Sequence, residues 1–162
     1  MQSYKNNYSI VNTLYGKTLI ATESDTLIAF LFLTVDEPKM MKLFHSKFPN
    51  ATECKNKDLT QIAQDILNNK PVKFKMTGTP FQQNVWNELL KLESTVPYQE
   101  LANRIGKSKA VRAVASAVAK NLLHVVIPCH LVLKSNGDIG KYAGGTELKK
   151  LLITKFPLSK SF

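Results

Sequence analysis

The chain has little cysteine, little acid and no long apolar run. Its two cysteines, Cys54 and Cys129, lie far apart in unlike stretches, and neither belongs to a CxxC pair. A disulfide framework and a thioredoxin-type motif are therefore excluded as organising features. Only His45, His124 and His130 could join them, with no ligand-like spacing, so no metal site is expected and no cofactor is implied. No stretch reaches the roughly 18 apolar residues that a membrane span needs; the nearest, Leu27 to Val35, has the length of a strand. Met1 to Ser9 is polar and lacks the apolar centre of a signal peptide, so an intracellular location, cytoplasmic or nuclear, is expected.

Against 12 acidic residues stand 22 Lys and Arg, a formal net charge of +10. That imbalance attracts polyanions, but nucleic acid, an acidic protein and a membrane surface all satisfy it. At 162 residues and 44% hydrophobic content, the chain is long enough for one ordinary domain or two small ones.

Strand-like runs occupy Tyr8 to Leu14, Lys17 to Thr22 and Thr26 to Leu33, separated by turn signals at Tyr15-Gly16 and Ser24-Asp25. They read as an antiparallel meander. Lys39 to Lys47 is compatible with a helix, and Asp58 to Asn68 carries Leu59, Ile62, Ala63, Ile66 and Leu67 at helical spacing. Val72 to Met76 reads as a further strand. Residues 1–76 thus form a small α/β domain, and Thr77-Gly78-Thr79-Pro80 reads as the link to a mostly helical domain, 77–162, giving an α+β fold.

In that second half, Phe81 to Leu92 is an amphipathic helix with Phe81, Val85, Leu89 and Leu92 on one face. Helical stretches Tyr98 to Arg104 and Lys109 to Lys120 flank Ile105-Gly106-Lys107-Ser108, the outline of a helix-turn-helix. Small residues Ala110, Ala113, Ala115, Ser116 and Ala117 surround one long cation, Arg112. Such a helix can approach DNA closely, or it can simply pack against a neighbour.

Val125-Val126-Ile127-Pro128-Cys129-His130 reads as a buried strand that stops at Pro-Cys-His. A free thiol is only about 3% thiolate at pH 7, and a neighbouring imidazole raises that fraction. A small core cysteine with an incidental histidine is the alternative.

Phe81-Gln82-Gln83-Asn84-Val85-Trp86, Tyr98, Ala110-Val111-Arg112-Ala113-Val114, Asn121, Ile127-Pro128-Cys129-His130 and Gly140-Lys141-Tyr142-Ala143-Gly144-Gly145 follow one another in an order and spacing that resembles the C-terminal domain of the O6-alkylguanine-DNA alkyltransferases. The resemblance runs from about Gly78 to Leu152. It implies that Cys129 is nucleophile and permanent alkyl acceptor, with His130 as its base. It also implies that Tyr98 rotates the nucleotide and donates a proton, and that Asn121 is the hinge before the active-site strand. Arg112 would enter the duplex in place of the extruded guanine, beside Ala113 on the reading helix. Gln82, Gln99, Lys107 and Ser135 would touch the DNA backbone, while Tyr142, Ala143, Gly144 and Val132 would hold the flipped base. The implied partner is duplex DNA containing O6-alkylguanine, met from the minor groove, and the expected state is a monomer.

The chemistry is consistent with those roles. Displacing an alkyl carbon from oxygen suits a soft thiolate, guanine leaves more readily when protonated, and O6 is reachable only once the base leaves the stack. Two departures bear on activity. Leu131 stands where the family usually has Arg, and Phe156 where it has a Glu that relays to the histidine, with no acidic residue after Glu147. The loop Lys91 to Pro97 is also shorter than usual. Three readings stay open at this point: a working alkyltransferase, a protein that recognises alkylated DNA with little or no transfer, and a helix-turn-helix module without a repair role.

Overall fold

A computed structural model describes residues 6–34, 36–140, 142 and 145–157, so the expected base-holding residues Ala143 and Gly144 lie outside the described residues. Strands β1 (Asn7–Thr13), β2 (Gly16–Glu23) and β3 (Thr26–Phe32) form the antiparallel meander, and β4 (Thr52–Glu53) adds to β1 in parallel, giving the order β3-β2-β1-β4. Gly16 makes the first turn at φ +92°, where a Cβ would come within 2.2 Å of the Thr34 methyl. Both faces of the sheet are covered, which explains the unbroken apolar run in β3. Leu19, Ala21, Ile28 and Leu31 pack with Met40 and Phe44 of helix α1 (Glu37–Lys47); Ile20, Phe30 and Phe32 point the other way, toward helix α2 (Lys57–Leu67) and the C-terminal half.

The outer edge of β3 decides how the halves meet. An unpaired edge is a liability, and two distant segments share this one. Lys73 and Lys75 pair with Leu27 at 2.9 Å each, while the Phe30 N–H donates to Leu122 at 2.7 Å and the Phe30 carbonyl accepts from His124 at 2.8 Å. The strand expected at Val72–Met76 is therefore reduced to one bridge at Phe74, because the next stretch of edge is already taken.

Helix α3 (Pro80–Leu89) opens with a reciprocal capping box between Thr79 and Gln82 and ends earlier than its apolar pattern implied. Its Trp86 Nε1 donates to the Ala117 carbonyl at 2.8 Å, pinning it to helix α5 (Val111–Ala119). Helix α4 (Tyr98–Arg104) ends in a Schellman turn: Gly106 takes φ +71°, its N–H reaches Asn103 and the Lys107 N–H reaches Ala102. Together α4 and α5 form the helix-turn-helix. Short strands β5 (Val96–Pro97) and β6 (Val132–Leu133) pair in parallel, and helix α6 (Thr146–Lys155) closes the described chain. One hydrophobic cluster joins Leu27 and Phe30 to Trp86, Val114, Ile127 and Leu152, so both halves contribute to the same core. The class is α+β. No helix among the described residues is long and apolar enough to cross a membrane.

Candidate active site

The segment carrying the cysteine is not a strand. Between α5 and β6 it forms turns, and Cys129–Leu131 makes a single 3-10 turn. Every residue from Asn121 to Val132 is buried, so each backbone polar group there needs an internal partner. Asn121 supplies much of the answer. Its Oδ1 accepts from the Leu123 N–H at 2.9 Å, and its Nδ2 donates to the carbonyls of Leu123 at 3.3 Å and Ile127 at 2.9 Å. The Ile127 N–H reaches back to Leu123, and the Cys129 N–H to Ile127. Val125 sits at φ +69°, a region that costs a β-branched residue about 1–3 kcal/mol and persists only where the surroundings enforce it.

Cys129 is 5% exposed. Burial holds its thiol above the ordinary value, against the smaller opposing pull of the Asn121 amide, the Lys149 ammonium and the Tyr142 hydroxyl. Tyr98, half-buried at the start of α4, is pushed up by burial and then by the Cys129 charge. The Tyr142 hydroxyl is buried against Cys129, and burial first and then the neighbouring Cys129 push it well above the usual phenol. Both phenols are therefore proton donors at neutral pH. A cleft of about 980 Å³ is lined by Cys129, Tyr98, His124 and Tyr142 and by Met40 and Leu43 of α1.

His130 is fully buried, and its Nε2 lies 2.9 Å from the Phe156 carbonyl oxygen. A carbonyl only accepts, so Nε2 carries the proton, and in the neutral ring Nδ1 holds the lone pair. Phe156 thus orients the imidazole through its backbone, where the resemblance leads one to expect a carboxylate. A carbonyl fixes the tautomer without bringing a net charge. Leu131 is wholly buried in the main hydrophobic cluster, so its departure from Arg is absorbed as packing.

Of the residues singled out from sequence, Cys129, His130, Asn121, Tyr98 and Tyr142 converge on this site. Val132 meets it through its carbonyl, which accepts from Lys149 Nζ. Arg112, Ala113, Lys107 and Ser135 are exposed instead, the first two on α5. Gln99 Nε2 donates to Asn103 Oδ1 and to the Ser108 carbonyl, tying down the helix-turn-helix loop, and Gln82 is engaged in the α3 cap.

Sequence reasoning missed two residues. Lys149 is fully buried, and the signal was available: it takes the apolar position of the α6 stripe shared with Leu152 and Phe156. His124 is the other. Its Nδ1 accepts from the Phe32 N–H at 3.2 Å, and burial followed by the His130 charge lowers it to about 3, so it stays neutral. No sequence signal distinguished it. Among the described residues no cluster of His, Cys, Asp and Glu could hold a metal ion.

Comparison with known proteins gives the family. The family model for the 6-O-methylguanine DNA methyltransferase, DNA binding domain, matches residues 80–155. The bifunctional transcriptional activator/DNA repair enzyme Ada of Escherichia coli is 35% identical over 158 residues, covering 91% of this chain. This chain spans only 44% of the length of Ada. The constitutive methylated-DNA–protein-cysteine methyltransferase of Bacillus subtilis is 33% identical over 156 residues, covering 91% of this chain and 93% of that protein. Mycobacterium tuberculosis OGT, solved in complex with DNA, shares the fold with a TM-score of 0.73 at 24% identity, over 94% of this chain and 95% of that one. The chain belongs to the methylated-DNA–protein-cysteine methyltransferase family.

Proposed function

We propose that this protein repairs duplex DNA by moving the alkyl group of O6-alkylguanine directly and irreversibly onto Cys129. The observation that carries the reading is a cleft lined by Cys129 together with the phenols Tyr98 and Tyr142, with a buried, oriented His130 next in the chain. In the reaction His130 accepts the thiol proton, the sulfur attacks the alkyl carbon in line, and the carbon–oxygen bond breaks. The leaving guanine takes a proton from Tyr98, which is restored from His130. The thiol proton therefore ends on guanine and the alkyl group ends in a thioether. Nothing in the site reverses a thioether, so each molecule acts once.

The base enters the cleft from the minor-groove side, with α5 against the duplex and Arg112 filling the gap it leaves. Lys107, Lys109, Arg112 and Lys120 are exposed on α5 and its flanks, and none has an ion-pair partner among the described residues. These cations support α5 and its flanks as the DNA face. Residues 1–76 act as the supporting unit, 77–162 as the binding and transfer unit, and the protein works as a monomer.

The test is to titrate a fixed amount of O6-methylguanine duplex with protein and count the lesions that remain. Loss of one lesion per protein molecule, with no turnover, is the expected result. Binding of the lesion without its loss would replace transfer with recognition alone.

A further inference from the structure

We propose that helix α1 of the first half is a second DNA contact, with Lys39 and Lys42 holding phosphates of the strand whose base enters the cleft. The proposal rests on the reading that duplex DNA delivers a flipped base to Cys129. The cleft is lined from both halves of the chain: Ser116, Ala119 and Lys120 come from the end of α5, and Lys39, Lys42, Leu43 and Ser46 from α1. Positions 39, 42, 43 and 46 recur at the three- and four-residue spacing of one helix face, while Met40 and Phe44 take the next face into the sheet core. Within the lining Cys129 is buried, whereas Lys39, Lys42 and Lys120 are exposed, so the cations stand at the solvent side of the same cleft.

The charges there are not spent inside the protein. Lys39, Lys42 and Lys120 have no ion-pair partner among the described residues. Asp36 is the one acid among the residues lining the cleft, and its Oδ1 is turned back to cap α1, accepting from the Lys39 N–H at 3.1 Å. Glu37, the acid within α1, is taken by Lys17 at 3.0 Å. Like charges one turn apart repel mildly, and an anion from outside relieves them. DNA brings that anion to this place. A nucleotide that leaves the stack carries its flanking phosphates with it, so a base inside the cleft draws phosphates to the exposed side of its lining. On α5, Arg112, Ser116 and Lys120 recur every four residues, so the face that carries Arg112 runs on into the cleft lining. The strand leaving that face meets the lysines of α1. Phosphate contacts carry no base information, which suits a lesion that can lie in any sequence.

The experiment measures binding in a Cys129→Ser background, where transfer cannot consume the complex, by fluorescence anisotropy with duplexes that carry or lack one O6-methylguanine, between about 50 and 200 mM salt. For Lys39→Ala with Lys42→Ala, the slope of log affinity against log salt on the lesion duplex is expected to fall by about 1.4–1.8, and affinity near 150 mM by about ten-fold or more. The undamaged duplex, with no base in the cleft, loses less. Lys39→Arg with Lys42→Arg keeps the parent slope. Lys70→Ala with Lys73→Ala removes the same net charge from lysines paired to Asp65 and Asp25, and leaves the slope nearly unchanged. Iodoacetamide alkylation of Cys129, measured without DNA in protein that retains the cysteine, is the same in the α1 variant as in the parent. An α1 variant with the parent slope and affinity would overturn the proposal. So would an equal loss on undamaged duplex, an equal loss in the Lys70 and Lys73 variant, or an altered alkylation rate, which would mean a reshaped cleft. A parent protein that does not bind the lesion duplex would instead remove the repair reading itself, so the two failures are distinguishable.

Discussion

The meander of β1 to β3 and the buried turn from Asn121 to Val132 solve the same problem differently. Both hold buried runs that must satisfy their backbone polar groups away from water. The meander does so by repetition: the strands pair residue by residue apart from one irregularity at Ala21/Thr22, and side chains are shared between two covered faces. The turn has no repeating partner. It depends on one amide side chain, on Val125 held at a positive φ, and on the edge of β3 as an anchor. Regular structure spreads its stability over many equal contacts. The irregular segment concentrates it, and in return it places a thiol, an imidazole and a backbone carbonyl at angles that a strand cannot offer.

Substitutions should separate the two regions. Phe30→Ala removes a fully buried ring from the meander and should cost about 3–5 kcal/mol of stability in denaturant unfolding, while methyl transfer per folded molecule stays the same. Asn121→Ala leaves the Leu123 N–H unsatisfied in the buried turn and takes a second donor from the Leu123 and Ile127 carbonyls, and should cost about 1–3 kcal/mol. Unlike Phe30→Ala, it should also slow transfer by about ten-fold or more, since the Cys129 position depends on it. Normal transfer in folded Asn121→Ala protein would break the comparison.

The seam between the regions should be sensitive to acid. His124 is neutral when folded, titrating near 3, but takes up a proton near 6.5 when unfolded. The unfolded state therefore binds more protons between those values, so the contribution is fully present above 6.5 and is lost as pH falls toward 3. Well below pH 6.5 the slope should approach about 1.4 kcal/mol per pH unit, and urea midpoints of His124→Gln should lack it. The smallest effect is expected at the meander's second turn. Ser24 sits at φ +56° in an exposed position, so Ser24→Gly should stabilise by less than about 1 kcal/mol in thermal unfolding and leave transfer untouched.

The two regions also differ in how far their sequences disclose them. The meander was legible because alternation and turn residues are local signals, and α4 begins and ends where its pattern predicts. The buried turn was misread as a strand because Val125-Val126-Ile127 has the composition of one. What overrides that propensity is non-local: the Asn121 hydrogen bonds and the competition for the β3 edge. The single bridge at Phe74 follows from the same competition. Cys129, His130, Asn121, Tyr98 and Tyr142 were legible as a set through resemblance, whereas the Phe156 carbonyl could not be, since a backbone atom leaves no mark in the side-chain sequence. Lys149 was visible in principle as a charge inside an apolar stripe. His124 became visible only once Phe32 was seen to donate to it.

The central claim is that the buried turn makes Cys129 an alkyl acceptor, while Cys54, part-exposed and beside the Ser9 hydroxyl at the sheet, is a bystander. The direct measurement is peptide mapping by tandem mass spectrometry after reaction with duplex DNA carrying isotope-labelled O6-methylguanine. One labelled methyl on Cys129, none on Cys54, and no label in Cys129→Ala is the predicted result. Label on Cys54, or unmodified Cys129 after the lesion has disappeared, would contradict the account.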